Sequence, residues 1–312
     1  MSRAEQPQID TSIAHPARIY DYLLGGKDNF PADRAAAERV LATVPKAREM
    51  ARANRAFLQR TVRFLAGEAG IRQFLDIGTG IPTQGNVHEV ARQVAPDARV
   101  VYVDNDRVVH AHANALLAGD QTIAVLADLR APDAILGDPQ VRQLIDFDRP
   151  VALLLVAILH FIRDEEDPPE IVARFHAAMA PGSYLVISHA TGDFDPVAAA
   201  AAAQAYDKAA APMVLRSHPE VERLFDGFAL VDPGLVQVSH WRPDPGDAAS
   251  HQQVWAYGGI GRKATPPTRP PAPLAMRAAR AAPAVQWHLA RHLPREPATT
   301  SGAAGTCWQK PA

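Results

Sequence analysis

Cysteine is nearly missing from these 312 residues, Cys307 being the only one. That excludes an intramolecular disulfide and any metal site needing two thiolates. Long apolar runs are missing too. The longest clean run, VALLLVAIL at 151–159, is half of the ~18 residues needed to span a bilayer, so no transmembrane helix and no membrane partner are expected. The opening MSRAEQPQID has no basic stretch leading into an apolar one, so nothing there resembles a secretory signal and a cytoplasmic location is expected.

Acidic residues almost vanish at the other end. From Arg262 onward there are eight Lys and Arg, one acid (Glu296) and nine prolines, which leaves 24 basic and 33 acidic residues before it, a balance of −9. That balance argues against nucleic-acid binding by a folded core. The Pro/Ala/Arg-rich segment 263–312 reads as a disordered, solvated tail.

What is present is an alternation of short apolar runs with amphipathic stretches between about 71 and 261, the pattern of βαβ units around a mostly parallel, doubly wound α/β sheet. The expected strands are QFLDI (73–77), RVVYVD (99–104), TIAVLAD (122–128), VALLLVAIL (151–159) and SYLVIS (183–188). LVQVSH (235–240) and QQVWAY (252–257) have no helix pattern between them and are expected to form an antiparallel edge hairpin. Val87, Val90, Ala91 and Val94 mark a helix that Pro96 ends. Asp106 caps another, carrying Val109, Ala113, Leu116 and Leu117 up to Gly119. Asp167, Pro168 and Pro169 open a third, and the Ala-rich stretch 198–211 reads as a fourth. Ahead of the sheet, Asp33 is expected to cap a helix through Leu41, followed by a longer one from about Arg48 to Ala66. The expected division is a helical cap and lid segment (1–70), a cofactor-binding domain (71–262) and the tail (263–312).

The candidate site lies in FLDIGTGIPT at 74–83. A dinucleotide fingerprint uses three spaced glycines to receive a pyrophosphate, whereas here the third position is Thr83, and Asp76 would repel phosphate. The ligand expected is cationic. S-adenosylmethionine carries an ammonium, a sulfonium and no phosphate. Asp104, ending the second strand, stands where a carboxylate meets ribose hydroxyls, with Asn105 beside it, and Asp128 with Leu129 stands where adenine would lie. Each acid alone is more often a cap or turn residue; the trio at successive strand ends makes the ligand site the stronger reading.

These stretches, with HPARIYDYLLGGKDNFPAD (15–33), NRAFLQR (54–60), VVYVDND (100–106), LLVAILHFI (154–162) and YGGIGRK (257–263), carry a resemblance. Over roughly residues 9–262 the chain is similar to a bacterial S-adenosyl methyltransferase family, class I methyltransferases formerly catalogued as a domain of unknown function. The resemblance implies a Rossmann-like class I sheet. It also implies that Asp76, Gly78 and Gly80 approach the methionine part of the cofactor, Asp104 the ribose, and Asp128 with Leu129 the adenine. Pro82 departs from the class at large, where a third glycine is common.

The expected acceptor is a small molecule. His160, after the fourth strand, is the candidate catalytic base, with a strand-end structural histidine as the competing reading, and His189 is a weaker candidate. His110 and His112, two apart on a helix, do not face each other, so no metal is assigned. Tyr20 and the polar loop around Gly25 and Gly26 suggest a lid, and Asn54 with Arg55 a hold on the cofactor carboxylate. A non-catalytic protein that binds the cofactor or its demethylated product is the alternative, and a nicotinamide-dependent dehydrogenase fits the fold but not Asp76.

Overall fold

The computed structural model describes residues 10–82, 85–116, 119, 121–246 and 253–264. Three helices come first: α1 (Pro16–Leu24), α2 (Pro31–Thr43) and α3 (Ala47–Gly67). Pro16 fits the first turn of α1, and Gly25 closes the helix at φ 86°, a left-handed conformation that glycine adopts without a Cβ clash. Asp33 does not cap α2 as the sequence suggests. The helix begins two residues earlier, after Phe30, because Pro31 is preset for the first turn. Fully buried in that turn, the Asp33 carboxylate accepts hydrogen bonds from the Phe30 and His15 amides at 2.8 Å each, so one acid joins the starts of α1 and α2. α3 buries Phe57, Leu58, Thr61 and Leu65, the face its spacing indicates.

The remaining elements are β1 (Gln73–Ile77), α4 (Val87–Arg92), β2 (Arg99–Asp104), α5 (Arg107–Leu116), β3 (Thr122–Leu126), α6 (Pro132–Gly137), α7 (Pro139–Leu144) and β4 (Ala152–Val156). After them come α8 (Pro168–Ala178), β5 (Tyr184–Ala190), α9 (Pro196–Gln204), α10 (His218–Arg223), β6 (Phe228–Leu230), β7 (Val236–Gln237) and β8 (Ala256–Lys263). Among the described residues these strands form one sheet in the order β3-β2-β1-β4-β5-β8-β6, with β7 also on β8. β1 to β5 are parallel, and β8 is antiparallel to β5, β6 and β7. The chain leaves β1 in one direction and returns on its other side at β4. A crevice at the strand C-termini, where the order reverses, is the ligand position of open α/β sheets.

Alternate residues of the central strands face opposite layers. Leu75, Val101 and Leu153 pack with α6, α7, α8 and α10, while Phe74, Val100 and Leu154 pack with α3 and α4. Burial on both faces explains why these strands read as continuous apolar runs. A third cluster joins α1, α2 and the start of α3 to Phe161 and Tyr206.

Three strand expectations change. VALLLVAIL is not one strand: β4 stops at Val156, Ala157 turns with φ 56°, and Leu159–Phe161 form a single 3-10 turn. The Ala157 amide is held there by the Ser188 carbonyl and hydroxyl, at 3.1 and 2.9 Å. β3 ends at Leu126, so Asp128 lies in the loop beyond it. The edge is built differently from the expected hairpin. Only Val236 and Gln237 extend before a 3-10 turn, and the partner strand is Ala256–Lys263, which includes the glycine-rich stretch read as a boundary. Glycine is required here by close packing: a Cβ at Gly258 would stand 2.8 Å from both Phe57 and Val238, and one at Gly261 would stand 2.7 Å from Phe228. Lys263 closes β8, its ammonium donating to the His176 and Met179 carbonyls at 2.5 and 2.7 Å. The expected tail from Thr265 on, like Thr83 and Leu117, lies outside the described residues. No helix among the described residues is long and apolar enough to cross a membrane.

Candidate functional site

A cavity of about 290 Å³ opens at the C-terminal ends of β1, β2 and β4, roofed by α1 and walled by α3. Asp76, Gly78, Gly80, Asp104, Asn105, Asp128, Leu129, Tyr20, Asn54 and His160 all line it. Residues 25–30, expected as part of a lid, do not. Their polar groups serve the turn itself: Asp21 accepts from the Asp28 amide at 3.0 Å and the Asn29 side chain at 2.8 Å, and Gly26 leaves room for that carboxylate.

The glycine turn is fastened from within. Gly78 and Thr79 donate their amides to the Val103 carbonyl at 2.8 and 3.3 Å, and Gly80 donates to Asp104 Oδ2 at 2.9 Å. Gly78 sits at φ 76°, and an added Cβ would lie 2.6 Å from Ile158, so the turn packs directly on the loop after β4. The start of α4 is closed by its own acid, Glu89, which accepts from the Gly85 and Asn86 amides at 2.8 and 2.9 Å. Anion sites of dinucleotide folds need such amides free. Here they are occupied.

Negative groups occupy the same end. Asp76 is 5% exposed and has no hydrogen-bond partner among the described residues. Burial, with the neighbouring Asp104 charge, pushes its pKa up to about 7 against the opposing pull of the Arg55 guanidinium. Burial also raises the pKa of Asp104, although amides from Asp106 and Gly80 feed both its oxygens. Each of those oxygens keeps a lone pair for a ligand. Asp128 is more open. Burial pushes it up, but the Arg130 amide, the Asn105 side chain and the Arg130 guanidinium outweigh that and hold it below the usual carboxylate range.

Tyr20 and Asn54 belong to one relay. The Ala157 amide donates to Ser188 Oγ, Ser188 donates to Asn54 Oδ1 at 2.6 Å, Asn54 Nδ2 donates to the Tyr20 hydroxyl at 3.0 Å, and Tyr20 donates to the Ala51 carbonyl at 3.0 Å. The relay ties α1 and α3 to the loop after β4. Arg55 donates to Asn86 Oδ1 at 3.1 Å while its buried Nε has no partner among the described residues. His15 and Arg18 anchor α1 to the loop after β2, at 3.2 and 3.1 Å from Asp106 Oδ2.

His160 is buried, and its Nδ1 accepts the Ala190 amide at 3.3 Å, which places its hydrogen on Nε2. Burial, followed by His189 and Arg216, holds its pKa well below the ordinary imidazole value. His189 donates from Nδ1 to the Ala190 carbonyl and accepts from Arg216 at Nε2, 2.7 and 2.9 Å, and burial lowers its pKa to about 4. Arg216 further donates to the Leu159 and Ile162 carbonyls and to Asp164. No local motif marks Arg216, because every partner is 27 or more residues away along the chain. Tyr206 and Ser188 also escape sequence reading, the one inside an Ala-rich stretch and the other inside a strand. His110 contacts Asn114 and His112 lies 3.9 Å from Asp28, so the two imidazoles have different neighbours.

The site fits S-adenosylmethionine: an unpaired buried carboxylate for the ammonium, an unpartnered guanidinium nitrogen for the carboxylate, and a backbone turn with no phosphate cradle. Comparison with known proteins agrees. A DUF574 family protein from Streptomyces avermitilis MA-4680 is 46% identical, with a TM-score of 0.79 over 82% of this chain and 100% of that one. A candidate methyltransferase from Thermobifida fusca YX is 45% identical, with a TM-score of 0.78 over 85% and 100%. No curated protein matches significantly. The profile of the S-adenosyl methyltransferase family matches residues 2–264. The cofactor is S-adenosylmethionine, the fold is the class I methyltransferase sheet, and this chain belongs to the S-adenosyl methyltransferase family.

Proposed function

We propose that the cavity transfers the cofactor's methyl group to a small-molecule acceptor. The observation that carries this reading is the pairing of spent glycine-turn amides with the buried, unpaired Asp76. Among the described residues the Gly78, Thr79 and Gly80 amides are already donated and offer a phosphate no cradle, whereas an ammonium would find a carboxylate in a low-dielectric site, where charge pairing is strong.

In this reading Asp76 takes the ammonium of the methionine part, with Gly78 and Gly80 allowing close approach, and the Arg55 Nε takes its carboxylate. Asp104 uses its remaining lone pairs on the ribose hydroxyls, and Asn105 holds Asp128 toward the adenine, which Leu129 covers. Asn54 and Tyr20 fix the wall through their relay. When bound, the cofactor supplies an activated methyl group on a sulfonium. The protein's contribution is orientation and exclusion of water. His160 lines the cavity as a hydrogen-bond donor through Nε2. The lack of an assured base does not by itself favour a non-catalytic binding protein, because displacement at a sulfonium carbon does not in itself require one.

Calorimetry with S-adenosylhomocysteine tests the cofactor site. Asp104→Ala removes an acceptor that also holds the Gly80 and Asp106 amides, so affinity should fall about 10- to 100-fold, the loss typical of a charge-assisted hydrogen bond. Undiminished affinity in this variant would remove Asp104 from the site. Labelled methyl transfer from S-adenosylmethionine into a metabolite extract tests the acceptor, and labelling of protein or nucleic acid instead would reject the small-molecule reading.

A further inference from the structure

Beyond the cofactor end, the cavity continues between α1, α2, α9 and the segment 205–215. Among the described residues, no lining side chain from those elements is charged. The walls are apolar and aromatic: Phe161, Tyr206 and Trp255 with Met50 and Met213. Phe161 meets Tyr206 at 5.5 Å between ring centroids and His160 at 4.4 Å. Thioethers adapt to flat ligands, and aromatic walls favour stacked or edge-on rings.

Two polar atoms serve this end. The Tyr206 hydroxyl has no hydrogen-bond partner among the described residues, and burial with the nearby Tyr20 phenol raises its pKa, so it stays protonated. His160 offers Nε2–H, its Nδ1 being taken. Both are donors. An oxygen can accept from both groups and still attack with a remaining lone pair, whereas an amine keeps its single lone pair only by donating to the Tyr206 oxygen and leaving the His160 N–H unmet. Among the described residues no carboxylate or free imidazole lines this end to remove a proton, so the oxygen must be acidic by itself.

We infer that the methyl acceptor is an uncharged, flat, mostly apolar molecule whose acidic hydroxyl, a phenol or enol, binds between Tyr206 and His160. This deepens the proposed function and rests on it. The acceptor releases its proton to water on binding, helped by the two donors and the sulfonium's positive charge. Its oxygen forms the bond to the methyl carbon, and the carbon–sulfur pair stays with sulfur, giving a methyl ether and the neutral thioether.

Three probes of one shape decide it: 2-naphthol, 2-naphthylamine and 2-naphthoate, titrated into the full chain saturated with S-adenosylhomocysteine. We expect 2-naphthol to bind at least tenfold more tightly than the other two, with an absorbance change showing its ionisation shifted to lower pH. With S-adenosylmethionine it should give 2-methoxynaphthalene. Tyr206→Phe should reverse the ionisation shift and weaken naphthol binding about tenfold, as loss of one charge-assisted hydrogen bond does, while leaving S-adenosylhomocysteine affinity unchanged. Tighter binding of the amine or carboxylate, or no effect of Tyr206→Phe on naphthol, overturns the assignment. Cofactor binding without binding of any phenol overturns it while the cofactor site stands. Absence of cofactor binding overturns both.

Discussion

The two ends of the cavity are built on opposite principles. At the strand C-termini three carboxylates and two arginines crowd a few loops, with hydrogen bonds both within a loop, Asp106 to Asp104 and Arg130 to Asp128, and between successive strand ends, Gly80 to Asp104 and Asn105 to Asp128. Between α1, α2 and α9 the walls are uncharged, and they are positioned by buried contacts between distant segments, with Arg216 holding the 159–164 turn from beneath. The difference teaches that the proposed cofactor end relies on charge at strand ends, whereas the proposed acceptor end relies on shape set by the whole fold.

Arg216→Ala is the strongest way to break that comparison. It leaves the Ile162 carbonyl and His189 Nε2 without their donor in the interior, at about 1–3 kcal/mol each. The expected loss is about 3 kcal/mol, or roughly 6–12 °C in Tm for a domain of this size, read by thermal unfolding. S-adenosylhomocysteine affinity of the folded fraction should change little; a large change would show the two ends to be coupled. Gly78→Ala should act at the other end. A left-handed alanine costs about 1–2 kcal/mol, and its methyl meets Ile158, so cofactor affinity should fall by about tenfold or more. Ile158→Ala in the same chain should recover only the steric share.

Acidity sharpens the contrast most gently. Asp76, raised to about 7 in the free protein, must be ionised to hold an ammonium. Below that value binding has to expel a proton, so S-adenosylhomocysteine affinity should drop about tenfold from pH 8 to pH 6. Calorimetry in buffers of different ionisation enthalpy should register proton release near pH 7, and Asp76→Asn should abolish it. His189, at about 4, and His160, held well below the ordinary value, stay neutral across this range. Neither histidine of the acceptor end should therefore titrate in this range, and any pH response there should follow the acceptor's own hydroxyl.

This division also decides what the sequence made legible. QFLDI and RVVYVD read as β1 and β2 because apolar runs bounded by turn residues suffice for buried parallel strands, and all ten predicted site residues line the cavity because strand ends and their following loops are adjacent in both chain and space. Asp33 was misread as an outer cap because its second partner, the His15 amide, is 18 residues away. The expected strand QQVWAY overlaps only the start of β8, because glycines that break an isolated pattern here make room for Phe57 and Phe228. Tyr206 and Arg216 gain their meaning only from residues the fold brings beside them.

The glycine at 258 has reach well beyond its strand. Phe57, against which it packs, lies on the same helix as Asn54 and Arg55, about one turn along. A single methyl group added to β8 would press on that helix and shift Asn54 and Arg55, the groups proposed to hold the cofactor. The seating of that helix is thus calibrated by the absence of an atom at Gly258.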